Sequence, residues 1–134
     1  MFSKKTSMEK SFTNLIASGT TVSGNVHFSG VIKVQGNVSG DILTHGDASS
    51  TEDGIIIDGH AEVSSDLVRA PFITIGPAKV HSKKIWCEKV LEILAGAEIS
   101  NATIYYRDIK IENSAKLHEC ILKHLDHCSE GEQV

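Results

Sequence analysis

The stretch GNVHFSGVIKVQGNVSGDI, residues 24–42, decides the fold. Gly-Asn-Val occurs in it twice, twelve residues apart, and between the glycines every second residue is apolar: Val26 and Phe28, then Ile32 and Val34. This alternation is that of a short strand with one buried face, started over and over. Outward from this stretch, apolar-x-apolar dyads recur at Ile55/Ile57, Ile73/Ile75, Leu91/Ile93 and Ile109/Ile111, each 18 residues after the one before. Counting back 18 from Ile32 lands beside Leu15, and an earlier unit begins there. The step from 32 to 55 is 23 residues, and its excess coincides with the polar loop HGDASSTEDG. A second apolar column runs Val22, Val38, Val63, Val80, Ile99, Leu117, and a third Val26, Ile42, Leu67, Ile85, Ile104, Ile121. Small or polar turn residues lie between these columns: Gly24, Gly40, Ser65, Ser82 and Asn101, with Glu119 the exception.

Eighteen residues are too few for a strand plus a crossover helix, and they suit three short strands joined by tight corners. One such unit cannot bury its apolar row alone, whereas stacked units form continuous aliphatic ladders with hydrogen bonding along the axis. Each restart is read as a new coil. The expected fold is all-β: a right-handed parallel β-helix of about six short coils, three-sided, with flexible termini. The domain spans residues 14–125, with disordered tails at 1–13 and 126–134. A period of 18 also equals three hexapeptides, as in left-handed β-helices, and Ile93, Ile99, Tyr105, Ile111 and Leu117 keep that spacing. That register breaks at Arg69, Val80 and the loop 46–54, and two inward residues per strand favour the right hand.

Composition narrows the function. A net charge of −4 lacks the basic face that nucleic acid requires, so no nucleic-acid partner is expected. Three cysteines with no framework spacing (Cys87, Cys120 and Cys128) are read as reduced thiols of a cytoplasmic protein. Neither a signal peptide nor a spanning segment is read, and aromatics at 5% are few for an enzyme pocket or a stacking surface.

Candidate chemistry is thin. His118, Cys120, His124, His127 and Cys128 bring thiols and imidazoles close in sequence, the donor types zinc takes, but without C-x-x-C or H-E-x-x-H spacing. A solvated last turn explains them equally well, and no metal or other cofactor is expected. The enzyme reading of the period is a trimeric hexapeptide-repeat acyltransferase using His45, His60 or His81 as general base, although no helical extension is present to hold an acyl donor. A polysaccharide lyase would need longer coils, and no phosphate-binding loop precedes a helix. Trp86 is either a lateral or partner contact or a cover for its own coil, and Tyr105 and Tyr106 are alike in this. At the N-terminus, Met1 and Phe2 beside Lys4 and Lys5 form a candidate contact to an anionic membrane surface.

TNLIASGTTVSGNVHFSGVIKVQGNVSGDI, residues 13–42, resembles the start of the bactofilin domain. The likeness is carried by Thr13, Leu15, Gly19, Thr20, Val22, Gly24, Asn25, Val26, Phe28, Gly30, Ile32, Val34, Gln35, Gly36, Val38 and Gly40. VLEILAGAEISNATI, residues 90–104, resembles a later coil, with Asn101 where glycine is usual. The resemblance implies a right-handed β-helix that self-associates end to end into nonpolar filaments without nucleotide. It further implies a place at the cytoplasmic face of the membrane, with peptidoglycan-remodelling enzymes as partners or a role in cell shape. The chain departs from the family in its short C-terminal tail and in KVHSKKIWCEKV, which interrupts the corner glycines.

The ends of a β-helix expose unpaired strand edges and apolar cross-section unless capped. The expected polymerisation interface is therefore Leu15, Ile16, Val22, Val26 and Phe28 at one end. At the other it is Ile109, Ile111, Leu117, Ile121, Leu122 and Leu125. Met8 and Phe12 are the alternative, as a cap over the first coil. Ile121, Leu122 and Leu125 also stand at helical spacing, so that ECILKHLDHC is either part of the interface or a capping turn that would leave a non-polymerising adaptor.

Overall fold

The structure, a computed structural model, describes residues 13–44 and 52–127. It is a parallel β-solenoid of about six coils whose strands lie on three sides. The first coil is β1 (Asn14–Ile16), β2 (Thr21–Ser23) and β3 (Val26–Phe28), and the second is β4 (Val31–Val34), β5 (Asn37–Ser39) and β6 (Ile42–Thr44). β7 (Gly54–Ile57) opens the third coil, and the long strands β8 (Ala61–Ile75) and β9 (Ala78–Ile93) run round the corners of the central coils. β10 (Ala97–Ser100) and β11 (Thr103–Tyr106) complete the fifth. β12 (Asp108–Ile111), β13 (Lys116–His118) and β14 (Ile121–His124) form the last, followed by a 3-10 turn at Leu125–His127.

The first side stacks Asn14, Ile32, Ile55, Ile73, Leu91 and Ile109 in one inward column, and Ile16, Val34, Ile57, Ile75, Ile93 and Ile111 in the next. The second side stacks Val22, Val38, Val63, Val80, Ile99 and Leu117, as the apolar period predicts. The third stacks Val26, Ile42, Val68, Ile85, Ile104 and Leu122. Ile42, Ile55, Ile57, Ile73, Ile75, Ile85, Leu91, Ile93, Ile99 and Ile104 are fully buried, so the core of the second to fifth coils is an aliphatic ladder, β-branched but for Leu91. Coils at a strand spacing of ~4.8 Å make that rod about 30 Å tall.

Three expectations are corrected by the register. Leu15 pairs with Lys33 and points outward, 50% exposed, while its neighbours Asn14 and Ile16 take the inward positions. Val68 and Leu122 occupy the third column in place of Leu67 and Ile121. The two Gly-Asn-Val copies do not open successive coils. Val26 pairs with Ile42 on the third side, whereas Val38 pairs with Val22 and Val63 on the second. The tripeptide therefore marks a corner followed by a strand, wherever on the coil that occurs.

The corners stack as closely as the strands. Gly24 N donates to Ser39 O at 2.8 Å and Gly40 N to Ser64 O at 3.0 Å, continuing the ladder round the bend between the second and third sides. The same corner later uses Asn101 (φ 60°) and Glu119 (φ 56°), both in the left-handed region. Asparagine tolerates that conformation better than glutamate does.

β8 and β9 slip register between Ala70 and Phe72, where Ala70 faces Cys87 and Phe72 faces Val90. The extra residue in β9 makes a bulge, and the Cys87 thiol fills it, donating to Pro71 O at 3.2 Å and Val90 O at 3.0 Å. Burial pushes this thiol up to about 12 from 9.0. The fold therefore keeps its proton at a pH where the unfolded chain releases it, so stability falls as pH rises from about 9 toward 12. The expected contribution is a slope approaching about 1.4 kcal/mol per pH unit within that window. Urea unfolding of wild type and Cys87→Ala across it checks this: the difference between the two must narrow as pH rises.

Candidate polymerisation interface

Each end of the solenoid presents three strands paired on one side only. β1, β2 and β3 pair with β4, β5 and β6, and β12, β13 and β14 pair with β9, β10 and β11. The outer edges of these terminal strands carry backbone donors and acceptors with no partner strand among the described residues, a template for strand addition.

The two ends differ in what lies between the edges. At the C-terminal end the inward columns finish on Ile109, Ile111, Leu117 and Leu122, all aliphatic. Ile111 is 39% exposed and Leu122 42%, although the residues stacked above them, Ile93 and Ile104, are fully buried. At the N-terminal end Ile16 and Phe28 are buried, and Val22 and Val26 are half-buried. The outermost position of one column is polar there. Asn14 takes the place held by isoleucine or leucine in every later coil, and its Nδ2 donates to Ser29 O at 2.9 Å. The C-terminal end is thus the more open and the more apolar.

The helical spacing in ECILKHLDHC does not produce a helix over Ile121 and Leu122. Ile121–His124 is a strand on β11, so Leu122 turns inward and Ile121, 57% exposed, turns out. Only Leu125 enters the short 3-10 turn. Arg107 Nη1 anchors that turn to Asp126 Oδ1 at 2.6 Å, and Asp126 N donates to His124 Nδ1 at 3.1 Å. The exposure of Ile111 and Leu122 means that the turn does not cover the column ends.

The described members of the His/Cys cluster, His118, Cys120 and His124, are dispersed. His118 points out from the second side, while Cys120 packs against the core and donates weakly to Ile99 O at 3.4 Å. His124 meets Tyr106 edge-on at 5.4 Å. The His127 side chain and Cys128 lie outside the described residues, among which no group of His, Cys, Asp and Glu is arranged to hold a metal. Of the acyltransferase candidates, His60 is at a corner with φ 64°, His81 is exposed on the second side, and His45 is outside the described residues. Met1, Phe2, Lys4, Lys5, Met8 and Phe12 are outside them too. No helix among the described residues is long and apolar enough to cross a membrane.

Trp86 is buried although it faces outward. It stacks on Tyr105 with centroids 4.7 Å apart, and the Lys84 and Lys123 ammonium groups stand 5.5 and 5.8 Å from the Tyr105 ring. It therefore covers its own coils. Beside it, Arg69 Nε donates to Glu88 Oε2 at 2.9 Å. Pairing of an Arg on one coil with a Glu on the next is invisible to an apolar period and was not legible in the sequence.

No curated protein and no solved structure matches the chain. A family model does match it, over residues 14–120, described as bactofilin, polymer-forming cytoskeletal. That span takes in all six coils up to the corner before β14. With terminal strand edges unpaired among the described residues, an aliphatic core running from one to the other and a family match over most of its length, the chain belongs to the bactofilin family of polymer-forming cytoskeletal proteins.

Proposed function

We propose that this protein is a cytoskeletal scaffold that stacks end to end, through its terminal coils, into nucleotide-independent filaments. The observation that carries this is the exposure of Ile111 and Leu122 at the end of columns whose inner members, from Val34 to Ile93 and from Ile42 to Ile104, are fully buried. A second chain docked there removes their apolar surface from water and pairs the free strand edge. A like-to-like joint is favoured because between two C-terminal ends it sets aliphatic against aliphatic and it keeps Asn14 to the N-terminal joint, whereas a head-to-tail joint would bring Asn14 onto the Ile109 column. Two isologous joints, one at each end, yield a nonpolar filament. The N-terminal residues Met1, Phe2, Lys4 and Lys5 would hold this filament to the cytoplasmic face of a membrane. Their weak individual contacts gain avidity from repetition. A filament so placed would position peptidoglycan-remodelling enzymes or shape the cell.

Negative-stain electron microscopy of the untagged protein, without nucleotide or metal, tests the assembly. Long filaments are the expected result. Discrete dimers would replace the scaffold by an adaptor, and trimers would restore the acyltransferase reading. Liposome co-sedimentation of wild type and Phe2→Ala tests the membrane contact, and equal pelleting would end it.

A further inference from the structure

The second side of the solenoid differs from the other two on its outer face. The first side carries Ile56 and the third carries Trp86 and Tyr105, all buried although they point outward. The second side carries only polar residues, in two straight columns. One reads Glu62, Lys79, Glu98, Lys116 over the third to sixth coils, and the other reads Ser64, His81, Ser100, His118. Both alternate with the same period. Cross-strand pairing of opposite charges is favourable in a sheet, yet none of these four charged side chains has an ion-pair partner among the described residues. Glu62, Lys79, Lys116, Ser64, His81 and His118 are exposed, and Glu98 and Ser100 are half-buried.

An acid-base-acid-base column is complementary to its own reverse. Turning a second copy end for end about an axis along the strands, midway between the fourth and fifth coils, keeps each column opposite itself and inverts its order. Glu62 then faces Lys116 of the second copy and Lys79 faces Glu98, each pair occurring twice. In the other column Ser64 meets His118 and His81 meets Ser100, so no imidazole opposes another. Copies laid parallel and in register would instead oppose Glu to Glu and Lys to Lys with the axis on the charged column, or set that column against Ser and His with the axis midway between the two columns, and neither arrangement forms a Glu–Lys pair.

We infer that the second side is a lateral interface between two copies of this chain running in opposite directions, joining filaments into bundles. The inference rests on filament formation, because exposed ion pairs are individually weak and hold only when a filament repeats them. Such an interface is also sensitive to salt.

High-speed pelleting reads filaments, and low-speed pelleting with negative stain reads bundles, so failure of either idea is separately visible. Wild type at low salt is expected to bundle and to fall apart into single filaments at high salt. The all-acidic variant Lys79→Glu/Lys116→Glu and the all-basic variant Glu62→Lys/Glu98→Lys should each form single filaments, with bundles reduced roughly tenfold or more. Mixing the two in equal amounts should restore bundling, which rules out a fold defect as the cause. Bundling of either variant alone as in wild type, or no recovery on mixing, would overturn the inference. Direction is read in a Cys120→Ser/Cys128→Ser background: Ser64→Cys copies should crosslink with His118→Cys copies. Preferential crosslinking to His81→Cys copies would overturn the end-for-end order.

Discussion

Leu122→Arg should abolish filaments while leaving the solenoid folded. Leu122 closes the third inward column and is 42% exposed, whereas Ile104 above it is fully buried. The substitution therefore changes the end of the rod more than its core. In a joint between two C-terminal ends the change occurs twice. Only the 42% of Leu122 still exposed can be covered in the joint, so each copy loses about 1 kcal/mol of side-chain burial, and each places an unpaired guanidinium in an apolar contact. A weakening of about 5 kcal/mol raises the concentration needed for assembly on the order of a thousandfold or more. Circular dichroism and the thermal midpoint should stay near wild type while sedimentation and microscopy report small particles. Leu15→Arg is the matched control. Leu15 points away from the end columns, so its filaments should persist. Filaments of Leu122→Arg at wild-type concentrations, or their loss in Leu15→Arg alone, would move the joint elsewhere.

Gly40→Ala should be the most damaging single-methyl change at a corner, and Gly24→Ala in the same corner column much milder. Both glycines have positive φ, 151° and 126°, so each alanine is strained by about 1–3 kcal/mol. A Cβ on Gly24 meets nothing within 4 Å, because Gly24 lies in the first described coil. A Cβ on Gly40 would stand on the backbone of Gly24, which stacks directly against it. Gly24 is tied to the next coil by its own N–H, which donates to Ser39 O, so it cannot move aside without opening the corner, which adds about 1–3 kcal/mol. The expected loss for Gly40→Ala is ~4 kcal/mol, a fall in midpoint of about 15 °C. Equal effects at the two glycines, measured by thermal and urea unfolding, would mean that corner stacking is looser than the structure has it.

The misplaced residues share one cause. At Leu15/Ile16, Leu67/Val68 and Ile121/Leu122, two adjacent residues are both apolar, so a period of two does not say which faces in. A shift of one position exchanges the core face for the outer face. Where a polar residue flanks the apolar one, as in Thr21-Val22-Ser23 or Asn37-Val38-Ser39, the column was read correctly and the structure pairs Val22 with Val38. The helical spacing of Ile121, Leu122 and Leu125 left strand and turn both open for the same reason. A short apolar pair fits both periods, and pairing with β11 decided for the strand.

Fold class, the number of coils and the aliphatic ladders were determined by the sequence, because a repeated unit that cannot bury its own apolar row has to stack on its neighbours. The family was legible as well, in the glycine corners of the first two coils. What the tertiary structure alone decided is which apolar residues are left uncovered and which charges stand in line. Ile111 and Leu122 are ordinary apolar residues by sequence, and only their place in the last described coil leaves them exposed. Glu62, Lys79, Glu98 and Lys116 lie in four different coils. Only hydrogen-bonded register between those coils, set by the corners and by the Cys87 bulge, brings them into one straight column.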